Sequence, residues 1–290
     1  MIRLDYYVRR RPELEQEAFQ ALWLQDHGRL WVKHAEALGV RRYTQVHDWP
    51  DHPLCEAWRA GYGVEGQPYD GVSTAYWPSY RVLQDALATD AGKAAMAEIL
   101  EDEKRIIDTP DCILSFGIVH PVVNPRGRVV ASEETDIFRC MYFPEGLPQY
   151  SVEVIQRHWI AVHAWLTHEY SANSPNKRYF QVHAVEYPIA EQMRAVRGIV
   201  HCPHHFGHAE AWSSQQEFDR AAANPRRQEL FPMFLADIDA FCNKRKGYFL
   251  AGKEFSLVDE EIYTLPLPVP SDFWAAGTKK EGSKPCPANP

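Results

Sequence analysis

The segment RRYTQVH at 41–47 recurs as KRYFQVH at 177–183. Arg42, Tyr43, Gln45, Val46 and His47 fall on Arg178, Tyr179, Gln181, Val182 and His183, an offset of 136 residues. The same offset carries Tyr6 onto Tyr142, Gln20 onto Gln156, Trp23 onto Trp159, His27 onto His163, Leu30 onto Leu166 and Ala75 onto Ala211. Trp, His and Tyr supply five of these eleven matches, and such rare residues seldom hold one register over about 70 positions by chance. The chain is a duplication, and an internal repeat decides architecture before any local signal does.

Each half has a readable order. Residues 2–9 alternate as a strand, 13–38 carry a helical stripe, and 42–49 are rich in the aromatic and branched residues of strands. A Gly/Pro-rich loop is expected at 50–71, a strand at 72–77, helix over 79–107 with a break capped by Asp90, and a strand at 113–123. The second half repeats this. Strands are expected at 137–143, 178–186, 206–212 and 247–257, with helices at 150–170 and at 214–243, the latter interrupted near Pro225 and Pro232. The pattern is βαββαβ, the ferredoxin-like unit. One such sheet carries helices on one face and leaves the other bare, and the bare face must be covered. The expected fold is therefore α+β: two tandem ferredoxin-like units whose antiparallel sheets pack into one pseudo-twofold α/β barrel. The expected divisions are 1–124 for the first unit, 125–136 for a linker, 137–263 for the second unit, and 264–290 for a Pro-rich, disordered tail whose Phe273–Trp274 pair could dock on the body.

Composition narrows the function classes. With 45% hydrophobic and 24% charged residues, the 290-residue chain can bury a core. A net charge of −8 argues against a nucleic-acid partner, because phosphate backbones select basic surfaces. No apolar run spans a bilayer, and the charged N-terminus lacks the apolar segment of a signal peptide. Six scattered cysteines read as reduced thiols, so a cytoplasmic protein is expected. No Gly-rich phosphate loop, dinucleotide fingerprint or nucleophile elbow is present.

The first helix carries the candidate chemistry. Phe19, Trp23, His27, Leu30 and His34 step by four, four, three and four, which places them on one face. The second copy keeps Trp159, His163 and Leu166 but has Tyr170 where the first has His34. A buried histidine is often only a satisfied core residue; its recurrence in both copies tips His27 toward function. Tyr43, Gln45 and His47 alternate onto one face of their strand, as do Tyr179, Gln181 and His183, and form either a polar ladder or a binding wall. The run HCPHHFGH holds His201, Cys202, His204, His205 and His208, ligand types for zinc or iron. A regular strand would turn His205 and His208 to opposite faces, so the reading prefers loop or pocket-rim histidines to a metal site.

The pattern Phe19-x3-Trp23-x3-His27-x6-His34, followed by GVRRYTQ at 39–45 and by DEKRIID at 102–108, resembles the EthD family of the dimeric α/β-barrel group. Relatives of that kind are mostly single units that dimerise, so the chain looks like a fused dimer, either a monomeric pseudo-dimer or a homodimer. The resemblance implies a small aromatic or polyketide-like substrate and decarboxylation, dehydration, cyclisation or cofactor-free oxygenation.

These readings combine into an expected cofactor-independent lyase acting on a small aromatic or phenolic compound. His27 is the expected general base, His34 or His47 the donor to a developing oxyanion, and Tyr43 the orienting or reprotonating group. Phe19, Trp23, Gln45, Trp77, Trp159, His163, Tyr179, His183 and His208 are the expected substrate-binding residues. No metal and no cofactor are expected. The alternatives are a cofactor-free oxygenase, which reuses the base to make an oxidisable phenolate, and a non-catalytic protein that binds an aromatic ligand.

Overall fold

A computed structural model describes residues 1–124, 129–171, 176–202 and 204–259; the expected C-terminal tail with Phe273 and Trp274 lies outside the described residues. The first unit runs β1 (Ile2–Val8), α1 (Gln16–Leu22), a π-helical turn (Trp23–His27), α2 (Gly28–Leu38), β2 (Arg42–Asp48), α3 (Pro53–Tyr62), β3 (Gly71–Trp77), α4 (Tyr80–Ala88), α5 (Asp90–Ile106) and β4 (Ile113–Val123). The second repeats the order: β5 (Phe138–Gly146), α6 (Val152–His158), a π turn (Trp159–His163), α7 (Ala164–Ser171), β6 (Arg178–Val185), α8 (Pro188–Ala195), β7 (Gly207–Ser213), α9 (Gln215–Ala222), α10 (Pro225–Phe241) and β8 (Cys242–Asp259).

The eight strands close into one antiparallel barrel in the order β1-β3-β2-β8-β5-β7-β6-β4. Each unit contributes four neighbouring strands, and the seams are β2 with β8 and β4 with β6. Closure removes the edges that each separate sheet would expose. Among the described residues no helix is long and apolar enough to cross a membrane.

Local departures from the expected elements have local causes. The 50–71 segment contains a helix, α3, because Pro53 opens it at N1 and the His52 side chain accepts from the Leu54 amide. Pro188 opens α8 in the same way inside the second copy. Thr89, not Asp90, caps α5, accepting from the Gly92 amide across 2.9 Å. Pro232 lies within α10 without ending it.

The helices pack on the outside of the barrel, and each unit's excursion after its second strand crosses to the other unit. Leu54, Cys55 and Trp58 of α3 join the core formed with β5, β7 and β8. Ala190 and Met193 of α8 join the core of the first unit. Burying an aromatic or large aliphatic side chain contributes roughly 1.5–3 kcal/mol, so these crossings fasten the units together as the strand seams do.

The barrel interior combines an apolar cluster, with Val46, Val72, Met141, Phe143 and Leu250, and a charged one. Arg3 donates to Asp5 at 2.8 and 2.9 Å and to Glu210, while Arg139 donates to Glu210 at 2.8 Å and to Glu254 at 3.0 Å. Burial opposes the charge on Arg3, yet Asp5 and Glu210 hold its pKa well above the usual value. Glu210 is held well below the usual carboxylate range despite its burial, because Arg139 and Arg3 flank it. Tyr43, Gln45 and His47 face outward, toward the helices.

Candidate active site: paired histidine–aspartate dyads

The first helix of each unit contains a π turn at the same place, Trp23–His27 and Trp159–His163. Such a turn holds one residue more than an α-turn and is often found where function needs a side chain re-aimed. The strand after it secures the turn. Gln45 Nε2 donates to the Trp23 carbonyl at 2.9 Å, and Gln181 Nε2 donates to the Trp159 carbonyl at 3.0 Å. Gln45 Oε1 lies 3.0 Å from His47 Nε2, and Gln181 Oε1 lies 3.2 Å from His183 Nε2. His47 in turn stacks on Trp23 at 4.8 Å and His183 on Trp159 at 4.9 Å. Gly71 lets Trp23 approach the sheet, since a Cβ there would fall 2.4 Å from the indole. The repeated RYxQVH motif is thus the clamp of the π turn. Burial pushes His47 down to about 3 and His183 down to about 4, the latter helped by His120.

The extra residue moves the inward stripe by one position. Trp31 and Thr167 are buried, whereas Leu30 and Leu166 are only partly so. The shift also turns His34 toward the surface, where its Nε2 lies 2.7 Å from Glu98. His27, His34 and His47 therefore do not line one cavity, and the expected trio is corrected. Phe19, Trp23 and Trp77 are fully buried in the helix–sheet core, with Trp77 Nε1 donating to the Leu38 carbonyl at 2.8 Å. His208 lies inside the barrel, its Nδ1 2.6 Å from the Tyr7 hydroxyl and its Nε2 2.9 Å from Glu210.

Each π turn ends in a histidine held by an acid that the sequence reading missed. His27 Nδ1 lies 2.9 Å from Asp102, and His163 Nδ1 lies 2.7 Å from Asp237. Both acids come from the last helix before the closing strand. They stand 135 residues apart, one short of the main offset, so a fixed-register comparison passes over them. Asp237 also meets His158 Nε2 at 2.8 Å. Desolvation raises the Asp237 pKa, but His163 and His158 outweigh it and hold the carboxylate below its usual range. Desolvation lowers the His163 pKa, and Asp237 only partly restores it, so His163 is neutral at pH 7.

The two dyads differ at the other ring nitrogen. In the first unit Trp31 Nε1 donates to His27 Nε2 at 3.0 Å, and the Trp31 ring stacks on Tyr43 at 4.6 Å and 7°. The space left there is about 10 Å³ and is not lined by His27. In the second unit position 31 is replaced by Thr167, and His163 Nε2 has no hydrogen-bond partner among the described residues. His163 lines a cavity with Trp159, Tyr179, Tyr142, Trp58 and Phe234, of about 20 Å³, room for one water molecule as it stands. Two buried polar atoms on its wall, Trp58 Nε1 and the Tyr142 hydroxyl, make no hydrogen bond of normal geometry. Burial pushes the Tyr142 and Tyr179 phenols up, so both stay protonated.

One group could hold a metal among the described residues: Asp5, His208 and Glu210, with ligand atoms within 4.8 Å of one another. The Arg3 guanidinium already bonds to all three, so a cation would have to displace it. His201, Cys202, His204 and His205 form no such group.

Residues 11–110 match the EthD domain family. No curated protein matches the chain by sequence. Among solved structures, an anthrone oxidase-like protein superposes with a TM-score of 0.48 at 11% identity, over 88% of this chain and 92% of that one. A presumed monooxygenase from Lactobacillus acidophilus NCFM gives 0.43 at 8% identity, over 87% and 92%. A dye-decolorizing peroxidase from Bacteroides thetaiotaomicron VPI-5482 also gives 0.43 at 8%, over 87% and 92%. Trp31 Nε1–H occupies the Nε2 lone pair of His27, the base on which the lyase expectation relied. The lyase reading is withdrawn. Residues 11–110 of the first unit thus resemble an EthD domain, and the strands of both repeats close one barrel within one polypeptide.

Proposed function

We propose that the protein is a cofactor-independent oxygenase of a small phenolic aromatic compound, working from the second-unit cavity. The observation that carries this reading is the buried His163, held through Nδ1 by Asp237 and without a partner at Nε2 among the described residues, on an aromatic-lined cavity. A carboxylate on Nδ1–H fixes the tautomer with the lone pair on Nε2 and stabilises the imidazolium that forms when it accepts a proton. Trp58 Nε1–H and the Tyr142 hydroxyl supply two donors for the substrate oxygen as it gains charge.

His163 Nε2 takes the phenol proton and leaves a phenolate. The phenolate passes one electron to dioxygen, and the resulting radical and superoxide combine at a ring carbon bearing hydrogen. The peroxide takes back the proton from His163. Loss of water across the C–H and O–OH bonds then leaves a quinone carbonyl, with one oxygen atom in the product and one in water. Water exclusion by Trp58, Phe234 and their neighbours protects the phenolate from reprotonation. Substrate entry requires these side chains, or α3 beneath them, to give way.

The test is oxidation of a panel of fused-ring phenols under labelled dioxygen, without added metal, flavin or nicotinamide. The expected result is one labelled oxygen atom per quinone formed, abolished by His163→Gln. Binding of the same phenols with no dioxygen uptake would identify a ligand-binding protein instead.

A further inference from the structure

Trp31 is a flat two-ring aromatic with one N–H donor, and the second unit has the much smaller Thr167 at its position, beside the His163 cavity. Its indole stacks almost parallel on Tyr43, and its N–H points at His27 Nε2. In the second unit Tyr179 stands at the Tyr43 position, and among the described residues no ring stacks on it and His163 Nε2 has no hydrogen-bond partner. The Thr167 hydroxyl is fully buried, near the Tyr179 phenol but without a hydrogen bond of normal geometry. The environment of a ligand is thus present twice, once filled by the chain itself.

We propose that Trp31 is a built-in stand-in for the ligand of the second cavity, and that it keeps the first dyad closed. The ligand is accordingly a planar, fused two-ring or larger aromatic that stacks on Tyr179 and donates one O–H or N–H to His163 Nε2. Single-ring phenols cover less of the Tyr179 ring than the Trp31 indole covers of Tyr43, and bind more weakly. The unit that best matches the EthD pattern is therefore the closed one, and the divergent unit is the one that works. The proposal rests on the second cavity as the working site for the nature of its ligand, but the closure of the first dyad stands apart from it.

Equilibrium titration with 2-naphthol, followed by its fluorescence, tests this on the full chain. The wild type should bind one equivalent. Thr167→Trp, which recreates the plug, should bind none while keeping the wild-type circular dichroism spectrum and elution volume. Trp31→Thr should bind two. A folded Thr167→Trp protein that still binds one equivalent, or a folded Trp31→Thr protein that binds no more than the wild type, overturns the proposal. Trp31→Phe keeps a ring against Tyr43 and removes only the N–H. Its His27 Nε2 nitrogen resonance should move to the position of the unpartnered His163 Nε2, and an unmoved resonance overturns the proposal without recourse to the other variants. A wild type that binds nothing beside a Trp31→Thr protein that binds one equivalent would refute the second cavity as the working site and leave the stand-in intact. One wild-type equivalent lost on His163→Gln, with both Trp31→Thr and Thr167→Trp binding one, would refute the stand-in alone.

Discussion

The Gln181 side-chain amide donates to the Trp159 carbonyl across 3.0 Å and so ties strand β6 to the π turn that carries His163. Gln181→Ala removes this bond and the partner of His183 together. The expected loss is about 1–3 kcal/mol of stability, the range for a buried hydrogen bond whose partner is left unsatisfied. Denaturant unfolding measures it. A loss within 0.5 kcal/mol, about the scatter of neutral surface changes, would remove the clamp from the account.

The His163–Asp237 pair sets a pH signature. Burial lowers the His163 pKa from its ordinary value, and a general base works when deprotonated. The profile of kcat/KM should be level above about pH 6.5, the ordinary histidine value, and fall only on the acid side. Asp237→Asn should reduce kcat by about 10²–10⁴, since the neutral amide neither fixes the tautomer nor stabilises the imidazolium. An unchanged rate would show that Asp237 does not position the base.

Stability should also fall in acid, before the carboxylates titrate. Burial holds His47 at about 3 and His183 at about 4 in the folded chain. Unfolded, each takes up its proton near pH 6.5. The unfolded state therefore binds more protons as pH falls from there toward 4, and the stability present above that range is progressively lost, by up to about 1.4 kcal/mol per pH unit for each histidine. Urea midpoints measured from pH 7 to pH 4.5 check this. His47→Gln should flatten the dependence, and an equal slope in the variant would contradict it.

The barrel lumen gives a separate prediction. Glu210 accepts from both Arg3 and Arg139. Glu210→Ala takes one of two carboxylate partners from each of two buried guanidinium groups, leaving Arg3 with Asp5 and Arg139 with Glu254, and should cost about 3–5 kcal/mol, as breaking a buried ion pair does. Thermal unfolding reports it. A variant as stable as the wild type would mean that water reaches the lumen and screens the pair.

Architecture was legible because the duplication fixes it: equivalent strands and helices follow from one offset, and the naked sheet faces leave a barrel as the way to cover both. The site was only half legible. Helical periodicity of 3.6 places Leu30 and His34 inward, but the π turn inserts a residue and brings Trp31 and Thr167 in instead. Nothing in the residue types announces that turn; the Gln of RYxQVH, which secures it, reads as an ordinary strand residue until its partner carbonyl is seen. Asp102 and Asp237 escaped because a one-residue deletion puts them out of register. The Trp-to-Thr difference at 31 and 167 was visible in the sequence, but its meaning depended on the indole N–H meeting His27.

The account stands or falls on which histidine does the work. Dioxygen uptake with a fused-ring phenol that the wild type oxidises, measured in parallel for His163→Gln and His27→Gln, compares the two dyads in one assay. His163→Gln should lower kcat by about 10²–10⁴, the contribution of a general base, whereas His27→Gln should retain the wild-type rate per folded molecule. Loss of turnover in His27→Gln with His163→Gln still active would contradict the account.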